Sequence, residues 1–172
     1  ACISSIIAGL GINREKVHTV ILMCTIMCLF YLLSRTKMEE IFYGEMEKNK
    51  KIIAPVTTYS EIMENEKNGK ISALLTIEEG AVCLGSLENL QEFYDLGVRM
   101  MTLTWNFPNE IGYPNLPKVS KEEAQAPNFV FDYKTPDRKH GLTEFGIEVV
   151  EKMENLGMII DVSHLSDAGF YE

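Results

Sequence analysis

Positive charge is scarce in this chain: 16 lysines and arginines stand against 25 aspartates and glutamates, a net charge of −9 over 172 residues. Nucleic-acid or anionic-membrane binding as the main activity needs a basic face that displaces counterions, so this balance argues against both. No nucleic-acid partner is expected. Cysteine is also sparse. Four residues (Cys2, Cys24, Cys28, Cys83) without a CxxC pair do not make a secreted disulfide scaffold, and packed thiols in a reducing, cytoplasmic compartment are expected. The glycine-rich GxGxxG and P-loop signatures are missing, as is the GxSxG of a nucleophile elbow. Dinucleotide-binding, Walker-type and α/β-hydrolase readings fall with them. No His-x-x-x-His pair places two metal ligands on one helix.

What is there suits one globular domain. Aliphatic, aromatic and sulfur residues make up 46% of the chain and charged residues 24%, ordinary values for a chain with a sizeable core. Residues 1–37 form an atypical hydrophobic N-terminal segment. Within it Val17 to Leu33, "VHTVILMCTIMCLFYLL", lies at the short edge of a membrane span, which takes about 20 apolar residues. Two expectations follow from it. One is a membrane anchor carrying a small domain; the other, which is preferred, is a buried strand over Val17–Cys24 and then a helix ending near Lys51.

From Ile52 onward the pattern is regular. Thr58 or Ser60 caps a short helix that stops at Gly69. "KISALLTIEEG" reads as a buried strand ending in two glutamates. "LENLQEFYDLG" has helical spacing, "VRMMTLTWN" is an apolar strand ending at Trp105 and Asn106, and residues 107–141 hold five of the six prolines in a long loop of the kind that is usually functional. "LTEFGIEVVEKMENLG" is an amphipathic helix capped by Thr143, and "GMIIDVSHLS" is a buried strand leading to His164, with Ser166 and Asp167 starting another helix. Strands apolar on both faces, alternating with helices, predict an α/β fold of parallel strands, either a barrel or a doubly wound sheet. In both, chemistry gathers at the C-terminal strand ends, which here carry Glu78 and Glu79, Trp105 and Asn106, and Asp161, Ser163 and His164.

A carboxylate and an imidazole from two strand ends suit a divalent metal, which offsets the cost of keeping the carboxylate from water. The competing reading makes Glu78 and Glu79 helix N-terminal charges facing a dipole. His18, in the apolar run, is expected to be a packed histidine. His140, beside Arg138 and Lys139, is expected to be solvated. Tyr113 and Pro114 are expected to shape a turn, or to wall a pocket. Asp161 and His164, three apart on a strand, are expected on opposite faces.

"GKISALLTIEEG", "LENLQEFYDLGVRMMTLTWNFPNEIGYPN" and "HGLTEFGIEVVEKMENLGMIIDVSHLS", in this order, resemble the renal (membrane) dipeptidase family of zinc metallopeptidases, bacterial type, over about Met38 to Glu172. The resemblance implies a partial (β/α)8 TIM-barrel domain over 38–172 and hydrolysis of a dipeptide whose two termini are free. It implies a two-zinc centre in the intact family, with Glu78 as a bridging metal ligand rather than a general base, His164 as a ligand of the second zinc, and Trp105 and Asn106 on the substrate side. The family's first-strand His-x-Asp has no counterpart in residues 1–37. A second zinc-binding histidine, a substrate-binding arginine and a later aspartate belong to later strands. A truncated chain, weakly active or inactive alone, is therefore expected, with a catalytically dead remnant serving as a binding or structural module as the alternative. Unpaired strand edges leave self-association open.

Overall fold

The computed structural model describes residues 24–25, 35–117, 123, 125–130 and 134–172, which fall into two compact units divided between Thr76 and Ile77. Apart from Cys24 and Thr25, the apolar run 17–33 lies outside the described residues, as does His18. Among the described residues no helix is long and apolar enough to cross a membrane.

In the first unit β1 (Cys24–Thr25), α1 (Arg35–Lys48), β2 (Ile53–Val56), α2 (Tyr59–Lys67) and β3 (Ile71–Ile77) follow one another. Both β1 and β2 pair with β3 in parallel. "ISALLTI" forms β3 as expected, buried from Ser72 to Ile77. Thr58 caps α2 in a reciprocal box: its hydroxyl accepts from the Glu61 N–H, and the Glu61 carboxylate accepts from the Thr58 N–H at 2.9 Å. Strand β2 has no counterpart in the sequence reading, because "IAPV" is short and its proline argues against a central strand. Pro55 is tolerated because, among the described residues, β2 pairs with β3 alone and so lies at an edge, where a missing N–H need not cost a ladder bond.

The second unit holds a 3-10 turn (Gly80–Cys83), α3 (Leu87–Asp95), β4 (Val98–Thr102), α4 (Glu144–Leu156), β5 (Ile159–Asp161) and α5 (Asp167–Phe170). Strands β4 and β5 are parallel, Met100 opposite Ile159 and Thr102 opposite Asp161. Ser86 caps α3, whose Leu90 and Phe93 enter a core shared by Met101, Leu103, Ile111, Val149 and Met153. Thr143 caps α4 through the Gly146 N–H at 2.9 Å, and Gly157 ends that helix at φ +69°. Cys83 is a packed thiol, 3.7 Å from the Met101 sulfur.

Two expectations need correction here. Strand β4 stops at Thr102 rather than reaching Trp105 and Asn106; one more hydrogen bond, Leu103 N–H to the Asp161 carbonyl at 3.2 Å, precedes a turn. Strand β5 is three residues long and not buried: Ile159 is 54% exposed, because its outer face is open to solvent. Among the described residues of the long connection 107–141, two isolated antiparallel bridges tie it down, Gly112 with Leu142 and Pro114 with Leu165.

Candidate metal and substrate site

The ends of β3, β4 and β5 in the second unit are linked by side-chain hydrogen bonds into one rim. Thr102 Oγ1 donates to Asp161 Oδ2 at 2.7 Å, joining β4 to β5. The other oxygen of Asp161 accepts from the Ser163 N–H at 2.9 Å and from the Ser163 hydroxyl, which turns the chain toward His164. Beyond β3, Glu79 accepts from the Ala81 N–H at 3.2 Å and from Asn109 Nδ2. The long connection is then tied down over β5: Asn115 N–H donates to the His164 carbonyl at 2.8 Å, and Ser166 N–H to the Tyr113 carbonyl at 3.0 Å.

The two anchoring carboxylates are shifted in opposite directions. Burial pushes the Glu79 carboxyl above its ordinary value, and the hydrogen bonds from Asn109 and Ala81 only partly offset it. For Asp161 burial acts in the same sense, but the bonds from Ser163 and Thr102, helped by the nearby His164 imidazole, outweigh it and hold the carboxyl low. A carboxyl lowered on folding contributes stability that is present above its unfolded value and lost as pH falls through the folded one. Replacing Asp161 with Asn should therefore cost about 1 kcal/mol at neutral pH, allowing for solvent screening. The gap between the two proteins' urea midpoints should close as pH drops below 3.8; a gap that stays constant on acidification would refute the assignment.

The four residues singled out in the sequence lie on this rim. Glu78 directly follows β3, Trp105 and Asn106 occupy the turn after β4, and His164 sits in the turn after β5. Glu78, Asn106 and His164 are half-buried and Trp105 is 37% exposed. Among the described residues, the Glu78 carboxylate, the Asn106 carboxamide, the Trp105 indole and the His164 ring make no hydrogen bond. The helix-cap reading offered for the glutamates holds for Glu79 alone, which caps the 3-10 turn. Strand alternation does not separate Asp161 from His164, because the strand ends at Asp161.

Two arrangements were missed in the sequence. Asn109 bonds both Glu79 and the Leu103 carbonyl, and no periodicity marks it. His140 is not simply solvated. Its Nδ1 lies 2.6 Å from Asp137 Oδ2 and its ring stacks on Tyr113 with centroids 4.8 Å apart; the spacing "DRKH" was the available signal.

A family model for membrane dipeptidases, peptidase family M19, matches residues 35–172. The chain belongs to this family. Dipeptidase 3 of Mus musculus is 38% identical over 98 residues, 57% of this chain and 17% of that protein. An amidohydrolase from Pseudomonas aeruginosa superposes with a TM-score of 0.64 at 18% identity, over 92% of this chain and 45% of its own. A metallopeptidase from Rhodobacter sphaeroides superposes with a TM-score of 0.61 at 21% identity, over 79% and 35%. The chain thus spans less than half the length of these relatives. Their likeness shows the fold, an α/β partial TIM barrel in which parallel strands alternate with helices.

The family is one of metallopeptidases, which implies a metal cofactor. Glu78 and His164 carry the oxygen and nitrogen donors that zinc takes, and among the described residues neither side chain makes a hydrogen bond. Their number falls short: a catalytic zinc takes about three protein ligands plus water, and among the described residues no group of three or more His, Cys, Asp or Glu could hold a metal. The described residues do not by themselves fit a complete metal centre.

Proposed function

We propose that this chain carries part of the strand-end face of a zinc-dependent dipeptidase, with Glu78 and His164 as two metal ligands and Trp105 and Asn106 toward the substrate. What supports the reading is the presence on one hydrogen-bonded rim of these four side chains, three of them half-buried, that make no hydrogen bond among the described residues. Half-buried polar groups left without partners are expected where a ligand completes them. The substrate class is a dipeptide with both termini free; the Rhodobacter relative was solved with a phosphinate mimic of the dipeptide L-Ala-D-Ala, which favours a D-residue on the C-terminal side. With two donors among the described residues where about three are needed for each zinc, these residues by themselves hold the metal loosely and support slow dipeptide hydrolysis or none.

Zinc binding and L-Ala-D-Ala hydrolysis by the purified chain test this. Loose zinc binding that depends on Glu78 and His164, with little turnover, is the expected result. Two tightly held ions and rapid turnover would overturn the incompleteness. Zinc binding indifferent to both residues would overturn the ligand assignment.

A further inference from the structure

The rim contains a hydrogen-bonded pair that metal binding does not use. The Glu79 carboxylate accepts from Asn109 Nδ2, 30 positions further along the chain, and the same nitrogen donates to the Leu103 carbonyl at 2.9 Å. Asn109 Oδ1 accepts from the N–H groups of Ile111 at 2.8 Å and Gly112 at 3.1 Å. One side chain therefore closes the turn after β4 on itself and fastens it to the segment after β3. The fit is close: a Cβ on Gly80 would lie 2.7 Å from the Leu103 carbonyl oxygen and 2.5 Å from Ile111 Cδ1. Trp105 and Asn106 sit between the two tethered points, Leu103 and Asn109, and among the described residues their side chains form no hydrogen bond. Charge-assisted bonds to a half-buried carboxylate are stronger than neutral ones, and leaving such a group without its donor is costly.

We infer that Glu79 and Asn109 are a positioning pair, whose carboxylate–carboxamide hydrogen bond fixes the 103–109 turn and so holds Trp105 and Asn106 next to the Glu78–Glu79 segment. The consequence for substrate rests on the function proposed above; the clamp itself does not.

Trp105 is the one tryptophan of the chain, so its fluorescence reports on this turn directly. Asn109→Asp keeps the acceptors for Ile111 and Gly112 and removes the donors to Glu79 and Leu103. In the full chain it should leave the far-UV spectrum unchanged, enlarge the fast component of Trp105 anisotropy decay, and move acrylamide quenching toward that of the urea-unfolded protein. Combining it with Glu79→Gln reverses the polarity of the pair, since the new carboxamide can donate to the new carboxylate. Much of the wild-type anisotropy should return, short of all of it because Leu103 still lacks a donor. Wild-type values in Asn109→Asp, or a double variant no closer to wild type than the single one, would overturn the inference. If Asn109→Asp fails to fold, recovery of folding in the double variant supports the pair and its failure counts against it. These readouts involve neither metal nor dipeptide, so a chain that binds no zinc would remove the proposed function and leave this test intact.

Discussion

Gly146→Ala should destabilise the second unit by about 3 kcal/mol or more, a value reserved for severe steric conflicts and core damage. A Cβ at this position, in the first turn of α4, would fall 2.0 Å from the carbonyl oxygen of Ile111 and 3.0 Å from its carbon. That carbonyl cannot swing aside cheaply. It accepts from the Thr143 N–H at 2.9 Å, Ile111 is fully buried, and the Thr143 hydroxyl donates to the neighbouring Glu110 carbonyl at 2.6 Å. The sign is what makes the experiment decisive. In an open helix position alanine is more stable than glycine by roughly 1 kcal/mol, so a gain in urea midpoint would mean that the long connection does not press on α4.

Removing Glu78 or His164 should have the second large effect. Outer-shell groups that only orient metal ligands cost about 10–100-fold in affinity when replaced, so loss of a ligand itself should cost at least that much. Glu78→Ala and His164→Ala should each weaken zinc binding to this extent or abolish it, as isothermal titration would show. Among the described residues neither side chain has a hydrogen bond to lose, so both variants should unfold near the wild-type midpoint. His140→Ala is the control, because the Asp137–His140 pair is another place where a carboxylate and an imidazole meet. Zinc affinity should survive that change. Affinity lost with His140 and retained without His164 would move the metal away from the strand ends.

The elements that were legible in the sequence are those whose ends carry local chemistry. Thr58 with Glu61, and Thr143 with Gly157, mark helix ends through contacts within a few residues, and the apolar run of β3 needs no partner to be recognised. Strand β2 was hidden by Pro55, which an edge strand accommodates because one side of it has no ladder to lose. Burial of β5 was misjudged because apolar composition does not say whether a second layer covers a strand, and Ile159 faces solvent. Glu78 and Glu79 look alike in sequence; what separates them is Asn109, a partner far along a stretch with no periodicity. The strand-end residues were singled out because parallel α/β topology gathers polar groups at C-terminal strand ends, and that placement is all the sequence carries; the hydrogen bonds along the rim join residues far apart in the chain and leave no pattern.

Crystals of the chain soaked in zinc and measured at the zinc absorption edge test the central claim most directly. An anomalous peak within about 2.0–2.2 Å of both a Glu78 carboxylate oxygen and a His164 ring nitrogen is the expected result. Zinc bound elsewhere, or Glu78 and His164 too far apart for one ion to span, would contradict it.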